Sequence, residues 1–503
     1  MYGWMGKILR VNLSSGNIST ENLDPKVAED YIGGRGLGVK YLIDEVDPRV
    51  EPLSPDNKLI FAAGPATGTR ALGASRYEVV TKAPLTGTIG GANSAGFWGP
   101  QLKFAGYDMI VIEGKAEKPV YIMIENEKVE IISAVNVWGK DTRETQKIIR
   151  DQTDKDAKIA CIGPAGEKLV RFACIINDEG RAAGRGGLGA VMGSKNLKAV
   201  AVRGNKKVAV ADENSLRELV KRVWAAQKKP GFLTTYGTVG VVEWSNAAGA
   251  FPTRNFQTGV FSGAEKIGGE ALKNSIFVKR NHCYGCPVGC GRVTKVTDPE
   301  FISEGDGPEY EGVYSLGSCC GVDNLAAITK AYHMCNELGL DVMTAGVTIA
   351  CAMEMFERGI ISEKEVGMPA NFGDAKVLVE LVRKTAYREG FGDMLAEGSY
   401  RLAEKYGHPE FSISVKGQEL AGYDPRGAQG LGLAYATSTR GADHMRTQFE
   451  DIEPLGLLYP DIGVEEETDR FSTEGKAGLV IKMENDKAAI DSMGICAFLS
   501  GYK

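Results

Sequence analysis

The sequence predicts an α+β fold, a β-rich N-terminal domain followed by a mainly α-helical remainder. Two observations carry that prediction. Over the first 210 residues the apolar side chains come in short runs between turn-forming residues, as strands require. Beyond Asp212 they recur every three or four residues, as helices require. A chain of 503 residues has length enough for about three domains. With 59 basic and 65 acidic side chains the net charge is −6, which gives no basic surface for nucleic acid. No apolar run reaches the ~18 residues of a membrane span, and the opening MYGWMGKILR has no signal-peptide core, so a cytoplasmic location is expected.

Strands are expected at 7–13, 58–63, 77–81, 109–113, 120–125, 128–133, 158–162, 170–176 and 198–202, each closed by a glycine-, proline- or charge-rich turn. Helices are expected at 215–229, 325–338, 344–358, 375–388 and 392–405. The charged stretch NKKVAVADEN marks one boundary and a softer shift near 407–425 marks another, which divides the chain into 1–210, 211–417 and 418–503. There is no strong internal repeat, only a faint echo between NELGLD (336–341) and DSMGIC (491–496), each ending a helical stretch.

Glycine makes up 64 of 503 residues, about 13% against a typical ~7%, without collagen-like period. Three clusters stand out: GGRGLG (33–38), GTIGGANSAGFWG (87–99) and GRGGLG (184–189). The last has the form G-x-G-x-x-G through Gly184, Gly186 and Gly189, but a dinucleotide site needs a strand running straight into the first glycine, and the apolar run ends at Ile176. Glycine lets backbone N–H groups approach phosphates, and Arg76, Arg181 and Arg185 lie close by, so the clusters read as tight turns or as a cradle for a phosphorylated cofactor.

Histidine is scarce at 4 residues, so metal chemistry must run on sulfur and oxygen; cysteine numbers 10. Cys283, Cys286 and Cys290 form a C-x2-C-x3-C run in HCYGCPVGC, a spacing that reaches three corners of an iron–sulfur cube. Cys496, just past Gly494, is the best fourth ligand. Zinc remains an alternative, although a second C-x2-C or a histidine pair is missing, and an inert role is the third reading. Cys161, Cys174, Cys335 and Cys351 read as buried small hydrophobes.

Beyond these features the sequence resembles the tungsten-containing aldehyde:ferredoxin oxidoreductase family along nearly its whole length. The resemblance lies in KFAGYD (103–108), KAEKPVYI (115–122), IGPAGEKLV (162–170), RAAGRGGLGAVMGSKNLKAVAV (181–202), CYGCPVGCGR (283–292), GPEYE (307–311), REGFGDMLAEGSYRLAE (388–404) and YDPRGA (423–428). It implies an N-terminal β domain and two helical domains enclosing a tungsten or molybdenum bis-pterin centre and one [4Fe–4S] cluster. It implies Cys283, Cys286, Cys290 and Cys496 as cluster ligands, and Asn93 and Ala182 as residues whose backbone carbonyls hold a Mg2+ bridging the pterin phosphates. Arg76, Ala95, Arg181, Gly184 and Arg185 fall on pterin-contacting positions. The echo becomes a pair of pterin loops, with Asn336, Leu340 and Asp341 in one and Asp491 and Ile495 in the other. Glu311 and His444 match an acid/base pair beside the metal, with Tyr310 and Tyr423 as pocket walls. Taken alone, Glu311 reads as an exposed acid and His444 as a buried, satisfied histidine.

Two departures qualify the resemblance. Some members bridge subunits through a metal on an E-x-x-H; here the positions read Lys330-Ala331-Tyr332-His333, and an ammonium cannot ligate, so a homodimer without an intersubunit metal is expected. Asn336 replaces an aspartate in the first loop. Family chains also continue well past the last cluster cysteine, so the third domain is expected to be incomplete. The activity implied is oxidation of an aldehyde to a carboxylate, with electrons passing through the cluster to ferredoxin or a ferredoxin-like subunit. The alternatives are another low-potential reduction, such as ring reduction of an aromatic thioester, and a non-catalytic electron-transfer subunit.

Overall fold

The computed structural model describes residues 1–226 and 231–502. Twelve strands in the N-terminal part form two six-stranded sheets. The first contains β1 (Lys7–Asn12), β2 (Asn17–Asn22), β3 (Leu59–Ala63), β4 (Tyr77–Lys82), β5 (Ile89–Ser94) and β6 (Met109–Glu113) in the order 2-1-6-3-4-5. The second contains β7 (Val120–Glu125), β8 (Lys128–Ser133), β9 (Lys158–Cys161), β10 (Ile175–Asn177), β11 (Arg181–Ala183) and β12 (Leu197–Arg203) in the order 8-7-12-9-10-11. Adding six to each strand of the first sheet reproduces the second. Each has one parallel pair, β1 with β6 and β7 with β12, and is otherwise antiparallel.

This repeat was invisible in the sequence because the two halves share topology rather than residues. Its one clear trace is the tripeptide Gly-Pro-Ala, which follows β3 at 64–66 and β9 at 163–165. The sheets bury a shared core that includes Phe61, Tyr77, Trp98, Ile122, Ile162 and Val200. Asn177 fastens them together: its Oδ1 accepts from Tyr77 Oη and Ser94 Oγ at 2.8 Å each, and its Nδ2 donates to the Ala95 carbonyl at 2.8 Å.

The remainder is largely helical. Helices at Leu325–Leu338, Val342–Glu357 and Ala375–Tyr387 fall within two residues of expectation. The helix expected at 215–229 spans Glu213–Ala226, and positions 227–229 lie outside the described residues. The helix expected at 392–405 is broken into Gly392–Leu395 and Ser399–Lys405 by Gly398, whose φ of +88° no helix accommodates. The strand expected at 170–176 shrinks to Ile175–Asn177, because Phe172–Cys174 bond a loop of the helical part instead. Three strands also lie within that part, β13 (Phe277–Asn281), β14 (Gly291–Val296) and β15 (Ser303–Asp306), in one antiparallel sheet. Among the described residues no helix is long and apolar enough to cross a membrane.

The two halves meet where a helix-ending loop lies against each Gly-Pro-Ala. A Cβ on Gly64 would stand 2.2 Å from the Met493 carbonyl carbon, and one on Gly163 would stand 2.4 Å from that of Leu338. Neither neighbour is a side chain that can swing aside. Gly64→Ala and Gly163→Ala should each lower stability by about 1–3 kcal/mol through overpacking, as read by urea denaturation; an unchanged midpoint in either would show that the loop is not held so closely.

Candidate functional site

The cysteine run occupies a hairpin turn. Asn281 of β13 pairs with Gly291 of β14, so residues 282–290 form the connection and carry Cys283, Cys286 and Cys290. Gly289 (φ +59°) lies against the His282 ring, where a side chain would collide. Cys496 follows the helix Lys476–Met493, which ends at Gly494 in the left-handed conformation (φ +80°). Gly73 joins the two: its N–H donates to the Gly285 carbonyl at 3.0 Å, and its carbonyl accepts from the Cys496 N–H at 3.0 Å. The half-buried Arg76 donates to Cys496 Sγ at 3.4 Å and to Asn93 Oδ1 at 3.1 Å. Burial alone would raise the Cys496 thiol, but the Arg76 guanidinium outweighs it and holds that thiol below the usual range. Burial pushes Cys286 and Cys290 up, as it does the six cysteines elsewhere in the core. All ten thiols are free. Among the described residues no group of three or more His, Cys, Asp or Glu side chains is placed to hold a single metal ion.

The two echoing loops occupy equivalent places on the two sheets. The first helix, Leu325–Leu338, ends at Gly339 (φ +77°), and the Gly339 carbonyl accepts from the Cys174 N–H at 2.9 Å. The Gly494 carbonyl accepts from the Arg76 N–H at 3.2 Å. Arg76 and Cys174 are the residues just before β4 and just before β10. Asp341 caps the next helix, accepting from Met343 N and Thr344 Oγ1, and lies 3.4 Å from Arg185 Nε. Asp491 pairs with Lys487 and lies 3.6 Å from Arg446 and 3.8 Å from Arg35.

Asn93 and Ala182 are equivalents as well. Asn93 of β5 pairs with the second residue of β4, and Ala182 of β11 with the second residue of β10, while β5 and β11 pack side by side. Ala95 and Gly184 follow at matched positions; Ala95 is buried, and a Cβ on Gly184 would point into open space. Although β11 does run into Gly184 and a helix begins at Leu188, β11 pairs antiparallel with β10, so this is no dinucleotide-binding βαβ unit. Arg185 is buried and donates to the carbonyls of Ala442 and Glu419 at 2.9 and 2.7 Å. Arg181 lies 3.6 Å from Asp306. Asn336 donates to the Asp306 carbonyl at 3.2 Å, and Leu340 bridges to Ala173. Ile495 lines a separate apolar cavity of about 330 Å³ with Leu219, Val223 and Leu499.

Glu311 and His444 are side by side. His444 Nε2 lies 3.5 Å from Glu311 Oε1, and Glu311 Oε2 accepts from the Gly422 N–H at 2.9 Å. Glu311 is not the exposed acid its sequence context suggests: burial, with Asp341 nearby, pushes its carboxyl up to about 7 despite Arg185. Nor is His444 satisfied, since its Nδ1 has no partner. Burial and the surrounding cations Arg185, Arg440 and Lys487 push its imidazole down to about 3, so it is neutral. The Tyr423 ring stands 5.7 Å from the His444 ring, and the Tyr310 ring lies tilted against Tyr423 at 5.1 Å. Buried polar atoms without a hydrogen bond include Arg446 Nε, Asn93 Nδ2 and Glu311 Oε1, and Arg181 Nη2 and Arg35 Nη1 have only the long ion pairs to Asp306 and Asp491. Buried polar groups are rarely left so, and a donor-rich surround of this kind fits a large anionic group.

The N-terminal domain model of aldehyde ferredoxin oxidoreductase matches residues 8–204, and the model of its domains 2 and 3 matches 215–503. The chain belongs to the aldehyde ferredoxin oxidoreductase family. Over 99% of its length it is 50% identical to the tungsten-containing aldehyde ferredoxin oxidoreductase of Pyrococcus furiosus and 48% identical to that of Pyrococcus horikoshii, covering 82% of each. It is 32% identical, over 89% of its length and 76% of the relative, to an aliphatic sulfonate oxidoreductase, WOR-like subunit, of P. furiosus. Among solved structures it resembles the active site complex BamBC of benzoyl coenzyme A reductase with 1,5-dienoyl-CoA, at 28% identity and a TM-score of 0.85 over 99% of this chain and 82% of that one.

Several residues near the Glu311–His444 pair and the two loops escaped sequence reasoning. Arg440 and Arg446 flank His444 in RGADHMR, and Arg35 stands in the unassigned cluster GGRGLG, where Gly34 lies against the Asp491 carbonyl. Glu78 accepts from Arg446 at 3.1 Å, and Glu450 is buried with Oε2 unpartnered. The signal available was the arginines beside recognised motifs; their convergence needed the fold.

The acid–base pair makes a sign prediction for the cofactor-free protein. The Glu311 carboxyl titrates near 7 when folded and near 4.5 when unfolded, so its contribution to stability is lost as pH rises through that window. The His444 imidazole titrates near 3 when folded and 6.5 when unfolded, so its contribution is lost as pH falls from about 6.5 towards 3. Denaturation of the cofactor-free protein and of Glu311→Gln at several pH values should show the parent losing stability relative to the variant between pH 4.5 and 7. A pH-independent difference would place Glu311 in water.

Proposed function

We propose that this chain oxidises aldehydes to carboxylic acids at a tungsten (or molybdenum) bis-pterin centre, with electrons leaving through one [4Fe–4S] cluster to ferredoxin. The observation that carries the reading is the buried Glu311–His444 pair, each member with an unpartnered atom, beside the two equivalent loops. The roles follow. Cys283, Cys286, Cys290 and Cys496 would bind the cluster. Arg76, Ala95, Arg181, Gly184 and Arg185, with Asn336, Leu340 and Asp341 on one loop and Asp491 and Ile495 on the other, would hold the pterins. The backbone carbonyls of Asn93 and Ala182, equivalents on adjoining edge strands, would hold a Mg2+ between the pterin phosphates, since that ion prefers oxygen ligands and phosphate. The boundaries proposed are near residues 210 and 417, within the cytoplasm as compartment.

When bound, the metal centre supplies a two-electron acceptor. The protein must then manage the protons of RCHO + H2O → RCOO− + 3H+ + 2e−. Glu311 Oε1, near neutrality in its proton affinity, takes a proton from the attacking water. Neutral His444 donates its one N–H to the aldehyde oxygen and polarises the carbonyl. Tyr310 and Tyr423 wall the pocket and exclude bulk water. Lys330 Nζ faces the Ile302 carbonyl and the buried His333 ring bonds Thr294, so we assign no intersubunit metal to this pair and leave any dimer to other contacts.

His444→Ala should lower aldehyde turnover by about 10²–10⁴, as for a lost acid/base group, while tungsten and iron contents stay unchanged. Undiminished turnover would remove His444 from the reaction, and neither tungsten nor molybdenum in anaerobically purified protein would overturn the reading altogether. The likeness to the benzoyl coenzyme A reductase complex favours a second reading, low-potential reduction of an aromatic ring thioester. An aldehyde with an artificial acceptor separates the two, because the ring reductase should turn it over little.

A further inference from the structure

On the proposed reading each aldehyde releases three protons beside His444, and Glu311 has to shed the one it takes before it can act again. The segment that follows His444 carries a carboxyl suited to receive it. The Gln448 N–H donates to the His444 carbonyl at 2.7 Å, and Glu450 stands next in the short turn Phe449–Asp451. Glu450 is 4% exposed, its Oε2 has no hydrogen bond, and among the described residues it forms no ion pair. The other buried carboxylates of this region are provided for. Asp341 pairs with Arg185, Asp491 with Lys487, Glu78 with Arg446, Asp443 with Arg440 and Glu453 with Lys476. Glu419 accepts from the Ser399 N–H and Oγ at 3.0 and 2.8 Å. A buried carboxyl without a cation is costly when charged, and burial pushes Glu450 well above the usual range, helped by the charges of Asp451 and Glu311 and opposed by Lys487. The hydroxyls of Tyr310, Tyr423 and Tyr435 are raised by burial first and by the charge of Glu450 as well, so Glu450 is within electrostatic reach of both Glu311 and the pocket walls. Beyond it lies the way out: Asp451 is half exposed, its carboxylate accepts from the Tyr459 hydroxyl, and its carbonyl accepts from the N–H of the exposed Leu457 at 2.7 Å.

We propose that Glu450 and Asp451 form the proton exit of this site. The inference rests on the reading of Glu311 as the base that takes a proton from the attacking water. Protonated Glu311 gives that proton up towards Glu450 Oε2 and returns to the carboxylate. Glu450 passes it on to the Asp451 carboxylate, and Asp451 releases it to bulk water. At each transfer one O–H bond breaks and one forms, and no electron moves. No hydrogen bond joins Glu311, Glu450 and Asp451 directly, so water carries the proton between them, and Glu450 Oε2 is open to accept from it. His444 cannot take the proton over, because an imidazole pushed down to about 3 is too weak a base.

The test uses the anaerobic holoenzyme with an aldehyde and a small viologen dye as acceptor, in H2O and in D2O. Wild-type protein that holds tungsten yet oxidises no aldehyde would defeat the proposed activity before any variant is made. Given an active wild type, Glu450→Gln should lower kcat by about 10-fold or more, with KM and the tungsten and iron contents at wild-type values. Its solvent isotope effect on kcat should rise above that of the wild type, because proton transfer has become limiting. Glu450→Asp, which keeps an acid at this point, should recover most of the rate. Asp451→Asn, at a half-exposed position, should show the same fall and the same rise in isotope effect, and it decides the matter if Glu450→Gln loses its tungsten. Full kcat in Asp451→Asn, or in metal-replete Glu450→Gln, would overturn the proposal. So would a loss of rate with the isotope effect left at its wild-type value, which would make the role of these carboxyls structural.

Discussion

The structure depends on one close approach made twice. Gly64, directly after β3, and Gly163, separated from β9 by one residue, leave no room for a side chain because a helix-ending loop of the other half lies against them. Backbone packed on backbone fixes position more tightly than side chains that can repack. From the first contact follow the places of Gly494, Asp491 and Cys496; from the second follow those of Gly339, Leu340 and Asp341. The duplicated sheet supplies two such docking points, so a pair of similar ligands held by two loops is what the topology most readily builds.

That symmetry is broken where the chemistry differs. The position before β4 is Arg76, which reaches Cys496, while its counterpart before β10 is the buried Cys174, which has the carboxylate of Asp341 nearby. The cysteine hairpin accordingly sits beside one loop only, tied to it through Gly73. On the other side Arg185 joins Asp341 to the carbonyls of Glu419 and Ala442, the segment that leads to His444. On the proposed reading one flank serves electrons and the other protons. The pair Glu311 and His444 shows how burial sets this up: the same loss of solvent raises the acid until it titrates near pH 7 and lowers the base, leaving the imidazole neutral there.

Much of this was legible in the sequence. Strand alternation located most of the N-terminal strands, and the 325–338 helix emerged with its observed ends. The cysteine run announced itself by spacing, and the echo between NELGLD and DSMGIC identified two loops that the structure indeed places alike. The repeat of the sheets was not legible, since six-strand topology leaves no periodic residue signature; Gly-Pro-Ala was its one trace. Arg35, Arg440 and Arg446 were missed because nothing local distinguishes an arginine that turns inward from one that faces solvent. Glu311 was misjudged on its own context for the same reason, since the groups that enclose it, Gly422 and His444, are distant in sequence.

The central claim is that the fold delivers Cys496 to the cysteine hairpin as the fourth ligand of a cluster beside the pterin site. Iron quantitation with electron paramagnetic resonance on anaerobically purified Cys496→Ser tests it most directly. The variant should lose one iron and hold a three-iron cluster, with tungsten retained. An unchanged [4Fe–4S] signal and iron content would contradict it.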